Sequence, residues 1–196
     1  MNTIDYYVLS QQPDQASAFL QRFSQLIRNV LEQSRHEQVL VADELATLRL
    51  YLNLEKERNN HRFDYQIITN ENLPPDALMP PLLIQPFAEN AILHGLRHKT
   101  GQPGLLTILL ASQPGVLVIQ VTDNGIGRVA SAALNWQQTG PNENGTKQSL
   151  GLTVTAERIA ALGPGASVVI NDLQPGVQVT LRLPTRVFVA SGNGVF

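Results

Sequence analysis

The hydrophobic period of this chain changes near residue 63 and divides the sequence into a helical part and a sheet-forming part. Upstream, apolar residues recur every three or four positions, which is the spacing of an amphipathic helix. From Phe63 to Ile67, apolar and polar residues alternate, as in a strand with one buried face. We therefore predict a helical segment over residues 1–60, a mixed α/β domain over 61–186 and a flexible tail over 187–196.

The helical segment contains two apolar stripes. Pro13 suits the first turn of one helix, and Asp43 is expected to cap the next. The first stripe consists of Ala16, Phe19, Leu20, Phe23, Leu26, Ile27, Val30 and Leu31, and the second of Leu45, Leu48, Leu52 and Glu55. Such stripes pack either onto the sheet of the same chain or onto the helices of a second copy.

The second part of the chain alternates strands with helices and tight turns. A sheet of at least five strands with helices on one face, an α+β fold, is the natural packing of these elements. Residues 135–149 are polar and are expected to form a long mobile loop. Pro80 and Pro81 are expected to open a helix. The remaining predicted elements are strands at 105–111, 116–122, 166–171 and 177–183 and a helix over about 150–161.

Charge and composition exclude several functions. The net charge of -2 and the lack of a basic run give no field for nucleic acid, so no nucleic-acid partner is expected. Cysteine is absent, which excludes disulfides and thiolate metal sites. No apolar run in the sequence reaches the ~18–20 residues that a membrane-spanning helix needs.

The first motif is an adjacent carboxylate and amide, Glu89 and Asn90, in the otherwise apolar run Pro81 to Gly95. An amide oxygen suits Mg²⁺ that shares its remaining ligands with water and phosphate. A glutamate accepts or orients a proton. The alternative is a polar pair on the exposed side of an amphipathic helix.

The second motif, Asp123 to Gly127, follows a predicted strand. A carboxylate at a strand end can accept the exocyclic amine of adenine, and Gly125 and Gly127 allow close approach of the backbone to a ring or phosphate. An ordinary Asp-Asn-Gly turn is the alternative.

The third motif, Ser149-Leu150-Gly151-Leu152, lies where a loop enters a helix. The free N–H groups at a helix N-terminus bind phosphate, and Lys147 just upstream adds a positive charge. The alternative is a simple helix cap at Ser149 beside solvated loop residues.

In this order the three motifs resemble the GHKL ATPases, which include sensor histidine kinases, DNA gyrase, MutL-type proteins and heat-shock chaperone ATPases. The resemblance is closer to the LytS/YehU-type sensor histidine kinases and extends over roughly residues 2–184. It implies a two-layer α/β sandwich of the GHKL type. The matching runs are Phe23 to Arg28, Tyr51 to Glu55, Gln85 to Gly95, Ser149 to Leu152 and Glu157 to Ile159.

The resemblance implies ATP and Mg²⁺ as cofactors. Asn90 would ligate Mg²⁺, and Glu89 would act at the γ-phosphate as a base or orienting group. Asp123 would bind the adenine amine in a pocket that Gly125 and Gly127 shape. Residues 128–149 would form a lid over the nucleotide. The other implied nucleotide contacts are His94, Lys147, Ser149, Leu150, Gly151 and Leu152.

Three departures from the family pattern stand out. Leu93 replaces a basic residue common in histidine kinases, so its phosphate contact is absent or comes from His94, Arg97, His98 or Lys99. Ser149 stands where the third motif often begins with glycine. None of the four histidines lies in the Asn-Pro-His-Phe context of the phosphoacceptor, which would precede Asn2.

The resemblance also implies partners and a location. A response regulator would receive the phosphoryl group, and the helical segment would form a homodimer. The region would be cytoplasmic, attached to the membrane only through an upstream sensor part, so that this sequence is a fragment unable to phosphorylate itself. Two alternatives stay open: a GHKL-type ATPase or conformational clamp without kinase activity, and a helical dimerisation module with a degenerate nucleotide fold.

Overall fold

The computed structural model describes residues 3–139 and 150–184, which form a five-stranded sheet with helices packed on one face. The helices are α1 (Thr3–Leu9), α2 (Pro13–Gln33), α3 (Val41–Arg58), α4 (Gln85–Asn90), which continues into a π-helical segment (Ala91–Leu96), α5 (Gly127–Thr139) and α6 (Leu150–Ala161). The strands are β1 (Val39–Leu40), β2 (Phe63–Thr69), β3 (Leu78–Met79), β4 (Gly104–Gln113), β5 (Val116–Asp123), β6 (Ser167–Leu173) and β7 (Gly176–Pro184).

The sheet is mixed, with strand order β2-β4-β5-β7-β6. β2 runs parallel to β4, and the other neighbours pair antiparallel. On β4, Leu106, Ile108 and Leu110 are fully buried under the helices, whereas Thr107 and Leu109 on the other face are half-buried. This alternation confirms the predicted α+β class with helices on one face.

Helix α3 lies between α2 and the sheet, and for this reason it is buried on several sides. One continuous hydrophobic cluster joins Phe19 and Leu26 of α2 to Leu48 and Leu52 of α3 and to the buried face of the sheet. The helices before residue 60 therefore pack directly on the rest of the chain. The functional division at residue 60 stays a prediction.

The apolar stripe of α2 divides into a covered half and an exposed half. Ala16, Phe19 and Leu26 are buried. The exposed half consists of Leu20, Phe23, Ile27 and Leu31. Packing within the chain explains why the covered half is apolar. It does not explain why the exposed half is apolar.

Two predicted helix starts are wrong because contacts distant in sequence determine them. Asp43 is not the cap of α3, which begins at Val41 because β1 pairs with β3 and leads directly into the helix. Pro80 and Pro81 do not open α4, which begins at Gln85 after a turn at residues 81–84. Pro86 occupies the first turn instead.

The loop predicted for residues 135–149 is wrong over residues 135–139, which belong to α5. Once a helix has started, each added residue gains a backbone hydrogen bond, and this outweighs the modest helix propensity of Asn, Gln and Thr. Residues 140–149 and the predicted tail at 187–196 lie outside the described part of the chain.

Candidate nucleotide-binding site

The helix formed by α4 and its π-helical extension carries the first motif at its edge. Phe87 and Ile92 bury one side of it against the sheet, whereas Glu89 is exposed and Asn90 is half-buried. The side-chain Nδ2 of Asn90 donates a hydrogen bond of 2.6 Å to the carbonyl oxygen of Pro86. This bond anchors the amide nitrogen of Asn90 to its own helix and so fixes the direction in which the amide oxygen points.

The π-helical segment Ala91–Leu96 brings the first motif into contact with the second. A Cβ added at Gly95 would lie 2.7 Å from Oδ1 of Asp123, and one at Gly125 would lie 2.5 Å from the Cα of Gly95. The backbone N–H of Ile126 donates to the carbonyl oxygen of Gly95 at 3.3 Å. Glycine is therefore required at both positions, because any side chain would separate the two motifs.

Asp123 ends β5 with only 5% of its surface exposed. Its Oδ1 accepts a hydrogen bond of 2.8 Å from the backbone N–H of Gly125. Burial raises the pKa of Asp123, and the backbone N–H groups of Gly125 and Val177 and the charge of Lys99 oppose this rise. Its carboxylate is thus a buried acceptor at the end of a strand, as an adenine amine requires.

Two further contacts hold the turn of the second motif in place. Oδ1 of Asn124 accepts a hydrogen bond of 2.8 Å from the backbone N–H of Leu105. The ammonium group of Lys99 donates to the carbonyl oxygen of Asn124 at 2.6 Å. Lys99 is therefore occupied at the turn, whereas Arg97 and His94 are exposed and His98 is half-buried.

Gly176 and Gly127 let neighbouring backbones approach the turn. A Cβ on Gly176 would overlap the carbonyl oxygen of Asp123, and the φ of +106° at Gly176 favours glycine. Gly127 begins α5 with a φ of +77°, and the nearest atom to an added Cβ is the Gly176 carbonyl oxygen at 3.8 Å. The turn and the start of α5 thus lie close to the backbone of Gly176, the first residue of β7.

The third motif is described only in part. Leu150, Gly151 and Leu152 form the first turn of α6, as the sequence predicts. Lys147 and Ser149 lie outside the described residues. Helix α6 packs against α4, so its N-terminal amides belong to the same side of the sheet as the first motif.

The residues present fit ATP with Mg²⁺ in their chemistry. Gly95, five residues after Asn90, brings the helix of the first motif against the buried carboxylate of Asp123 and the glycine turn at the end of β5. Among the described residues, no group of three His, Asp or Glu side chains is placed to hold a metal ion. One amide oxygen suits Mg²⁺ that takes its other ligands from phosphate and water.

Sequence reasoning did not predict the part that four residues play in this arrangement. No signal marked Gly176 or Glu44, Tyr51 was noted only within a run that matches the family, and Lys99 only as one of four replacements for the basic residue missing at Leu93. The contacts of these residues join segments distant in sequence. Tyr51 is buried on α3, and burial raises its pKa, with the carboxylates of Glu55 and Glu89 raising it further.

The matches to known proteins agree with this arrangement. Residues 1–63 match the family model described as "Histidine kinase". Sensor protein LytS of Staphylococcus haemolyticus is 27% identical over 173 residues, which are 88% of this chain and 29% of LytS. Sensor histidine kinase YpdA of Escherichia coli is 29% identical over 175 residues, 89% of this chain and 29% of YpdA. The chain spans less than a third of the length of either relative.

Solved structures show the same fold at low sequence identity. The histidine kinase domain of the blue-light activated kinase EL346 of Erythrobacter litoralis aligns with a TM-score of 0.53 and 13% identity, covering 93% of this chain and 86% of that one. The nucleotide-free catalytic domain of histidine kinase ThkA aligns with a TM-score of 0.51 and 16% identity, covering 76% and 95%. The fold is therefore that of the GHKL catalytic domains of histidine kinases.

Together, the family model, the relatives and the fold confirm the resemblance to the LytS-type sensor histidine kinases and support a catalytic region of that type. The roles of individual site residues stay predictions. Across residues 3–139 and 150–184, no helix combines the length and the apolar character needed to cross a membrane.

Proposed function

We propose that this chain binds ATP with Mg²⁺ and catalyses transfer of the γ-phosphoryl group to a histidine, as the catalytic region of a sensor histidine kinase. The observation that carries the proposal is the contact of Gly95 with Asp123 and Gly125, which joins the Glu89–Asn90 helix to a buried acceptor. Phosphoryl transfer needs mainly positioning and charge neutralisation, and this site offers groups for both.

Each residue has a distinct role in the proposal. Asp123 accepts the adenine amine, and Gly125 and Gly127 let the backbone approach the nucleotide. Asn90 ligates Mg²⁺ through its amide oxygen, and Glu89 orients the attacking group or accepts its proton. The exposure of Glu89 leaves it accessible to an acceptor side chain from another segment.

The remaining nucleotide contacts come from the third motif. The first-turn amides of α6 at Leu150, Gly151 and Leu152 bind phosphate, with Ser149 and Lys147 beside them. His94, which is exposed on the π-helical segment, supplies a phosphate contact in place of the basic residue missing at Leu93.

In the whole protein, the phosphoryl group would pass from the acceptor histidine to a response regulator. None of His36, His61, His94 and His98 has the acceptor context that the resemblance implies, so the acceptor lies outside these 196 residues. The region would act in the cytoplasm and be linked to a membrane-bound sensor. We expect no transfer of labelled phosphate from ATP to this chain alone.

We further propose that the exposed half of the α2 stripe forms a homodimer interface. Leu20, Phe23, Ile27 and Leu31 follow one another at helical spacing and are exposed in a single chain. A contiguous apolar patch of this kind on a soluble protein marks an interaction surface.

Calorimetric titration with ATP tests the site directly. With Mg²⁺, the natural chain should bind ATP, Asp123→Ala should abolish binding, and Asn90→Ala should bind ATP equally with and without Mg²⁺. Asp76→Ala and Asn72→Ala, which change exposed residues between β2 and β3 beyond the end of β2 that is opposite the turn, serve as matched controls. No ATP binding by the folded natural chain would contradict the proposal, and steady release of phosphate would favour an ATPase or clamp instead.

A further inference from the structure

The turn that precedes α4 is held by a carboxylate from another helix. Glu44 of α3 is 2% exposed. Its Oε2 accepts the backbone N–H of Leu82 at 2.8 Å, and its Oε1 accepts those of Leu83 and Ile84 at 3.1 and 3.4 Å. These three residues immediately precede Gln85, the first residue of α4.

A second side chain, from a helix that follows the turn in sequence, also holds the turn. Nη2 of Arg158 on α6 donates a hydrogen bond of 3.0 Å to the carbonyl oxygen of Pro81. Burial raises the pKa of Glu44, and the three backbone N–H groups and the positive charge of Arg158 oppose this rise. The backbone at Leu82 has a φ of +55°, which a non-glycine residue adopts only when its surroundings enforce it.

The arrangement differs from an ordinary helix cap. A Ser or Asp at the N-cap normally satisfies the free N–H groups of a helix from within the same segment. Here Ile84 stands at that position and makes no side-chain cap bond, and Glu44, about forty residues earlier, binds the N–H groups of Ile84 and of the two residues before it. A local cap would stabilise the helix without tying it to α3, whereas this one joins the two.

Tyr51, two turns after Glu44 on α3, is buried. Burial raises its pKa, and the charges of Glu55 and Glu89 raise it further. A second residue of α3 therefore lies within electrostatic range of the first motif.

We propose that Glu44 is a positioning residue, which fixes the position of the helix that carries Glu89 and Asn90. Mg²⁺-dependent ATP binding then depends on the position of α3 relative to that helix. This inference rests on the proposed function, since it assigns Asn90 to the metal. Glu44 itself touches neither nucleotide nor metal. It acts through the turn, because α4 begins directly after the turn and a small shift of the turn moves the whole helix relative to Asp123.

The first test compares Glu44→Gln with the natural chain. Glutamine keeps the size of the side chain but turns an N–H group toward one of the three backbone donors. Because the turn then loses one of the three hydrogen bonds that hold it, we expect the gain in ATP affinity caused by Mg²⁺ to fall about tenfold or more. Affinity for adenosine, which needs only the Asp123 side of the site, should remain unchanged.

Glu57→Gln is the matched control, because Glu57 is also on α3 but pairs with Arg22 of α2. It should leave both affinities unchanged. Arg158→Gln removes the other support of the same turn and should reduce the Mg²⁺-dependent gain as Glu44→Gln does. The proposal would be overturned if Mg²⁺ increased ATP affinity in Glu44→Gln as much as in the natural chain, or if Glu57→Gln lost as much of this increase as Glu44→Gln. If Glu44→Gln does not fold, the result for Arg158→Gln decides.

Amide hydrogen exchange separates this inference from the proposed function. In Glu44→Gln without nucleotide, we expect faster exchange at residues 84–96 and unchanged exchange in β4 and β5. If the natural chain binds no ATP but this local change occurs, the proposed function fails and the positioning role stands. If exchange at residues 84–96 does not change, the positioning role fails whatever the chain binds.

Discussion

At the scale of single residues, the missing side chain at position 95 is what lets the two halves of the site touch. We predict that Gly95→Ala abolishes ATP binding, because its Cβ would lie 2.7 Å from Oδ1 and 3.2 Å from Cγ of Asp123, a buried side chain with no room to retreat. Calorimetry with ATP and Mg²⁺, after thermal unfolding has shown that the variant is folded, measures the loss.

Gly101→Ala is the control for this substitution. Nothing lies within 4 Å of an added Cβ at Gly101, and its φ of +89° imposes backbone strain alone. It should cost about 1–2 kcal/mol of stability and leave ATP binding intact. Equal ATP affinity in Gly95→Ala and the natural chain would show that the contact between the two motifs does not shape the site.

The pKa of Asp123 leads to a pH prediction. Burial raises it above the ordinary 3.8, so the folded chain holds this proton more tightly than the unfolded chain does. Ionisation of Asp123 therefore lowers stability as pH rises from about 3.8 through the raised pKa, while ATP binding needs the ionised form. Affinity for ATP should fall as pH drops through the raised pKa.

Lys99 opposes the effect of burial on Asp123. We predict that Lys99→Met raises the pKa of Asp123 further, so that the loss of ATP affinity on acidification begins at a higher pH than in the natural chain. Titrations across pH 4–8, roughly the range in which a raised carboxyl pKa falls, would measure the midpoint. Lys56→Met, which removes a charge from α3 instead, should leave that midpoint in place, and a midpoint shared by all three proteins would refute the role of Lys99.

At the scale of elements, α3 carries the packing between the outer helix and the sheet. Leu52 is fully buried there. We predict that Leu52→Ala lowers the free energy of unfolding by about 2–5 kcal/mol, the cost of lost burial and a new cavity. Ile68→Ala, at a β2 residue 44% exposed, should cost less than about 1 kcal/mol in the same denaturant titration. Similar losses in the two variants would mean that α3 is not packed as described.

The sequence predicted which helices and strands exist more reliably than it predicted where they begin and end. The alternation from Phe63 to Ile67, the strands predicted at 105–111 and 116–122 and the helical stripes of α2 and α3 depend on local pattern, and the structure confirms these elements. The starts of α3 and α4 depend on β1 pairing with β3 and on Glu44 reaching Leu82, contacts between residues about forty apart. No local propensity encodes such contacts, so the proline and aspartate signals near these starts were misleading.

The residues of the candidate site were likewise predictable only where the signal is local in sequence. Glu89, Asn90 and Asp123 stood out because their residue types and order resemble a known family. Glu44 did not, and Lys99 was named only as one of four replacements for the basic residue missing at Leu93. Each acts here through a backbone group of a distant segment, and a backbone carbonyl or N–H leaves no mark in the sequence.

At the scale of the whole molecule, the unexplained surface is the exposed half of the α2 stripe. Its four residues are 43–56% exposed, which is unusual for large apolar side chains aligned on one helix face. We predict that the chain dimerises through this face and that Phe23→Asp combined with Ile27→Lys makes it monomeric at micromolar concentration, because two charges would be buried without partners. Sedimentation velocity over a concentration series measures the change.

The same charges placed on the sheet give the matched control. Ile68→Asp combined with Val169→Lys alters two exposed apolar residues on the edge strands β2 and β6, 44% and 47% exposed, and should leave the oligomeric state unchanged. Because the α2 substitutions lie on the face away from α3, the stability of the monomer should change little. A natural chain that is monomeric throughout the series would refute the dimer. A dimer that persists in the α2 variant and dissociates in the sheet variant would place the interface on the sheet edges instead.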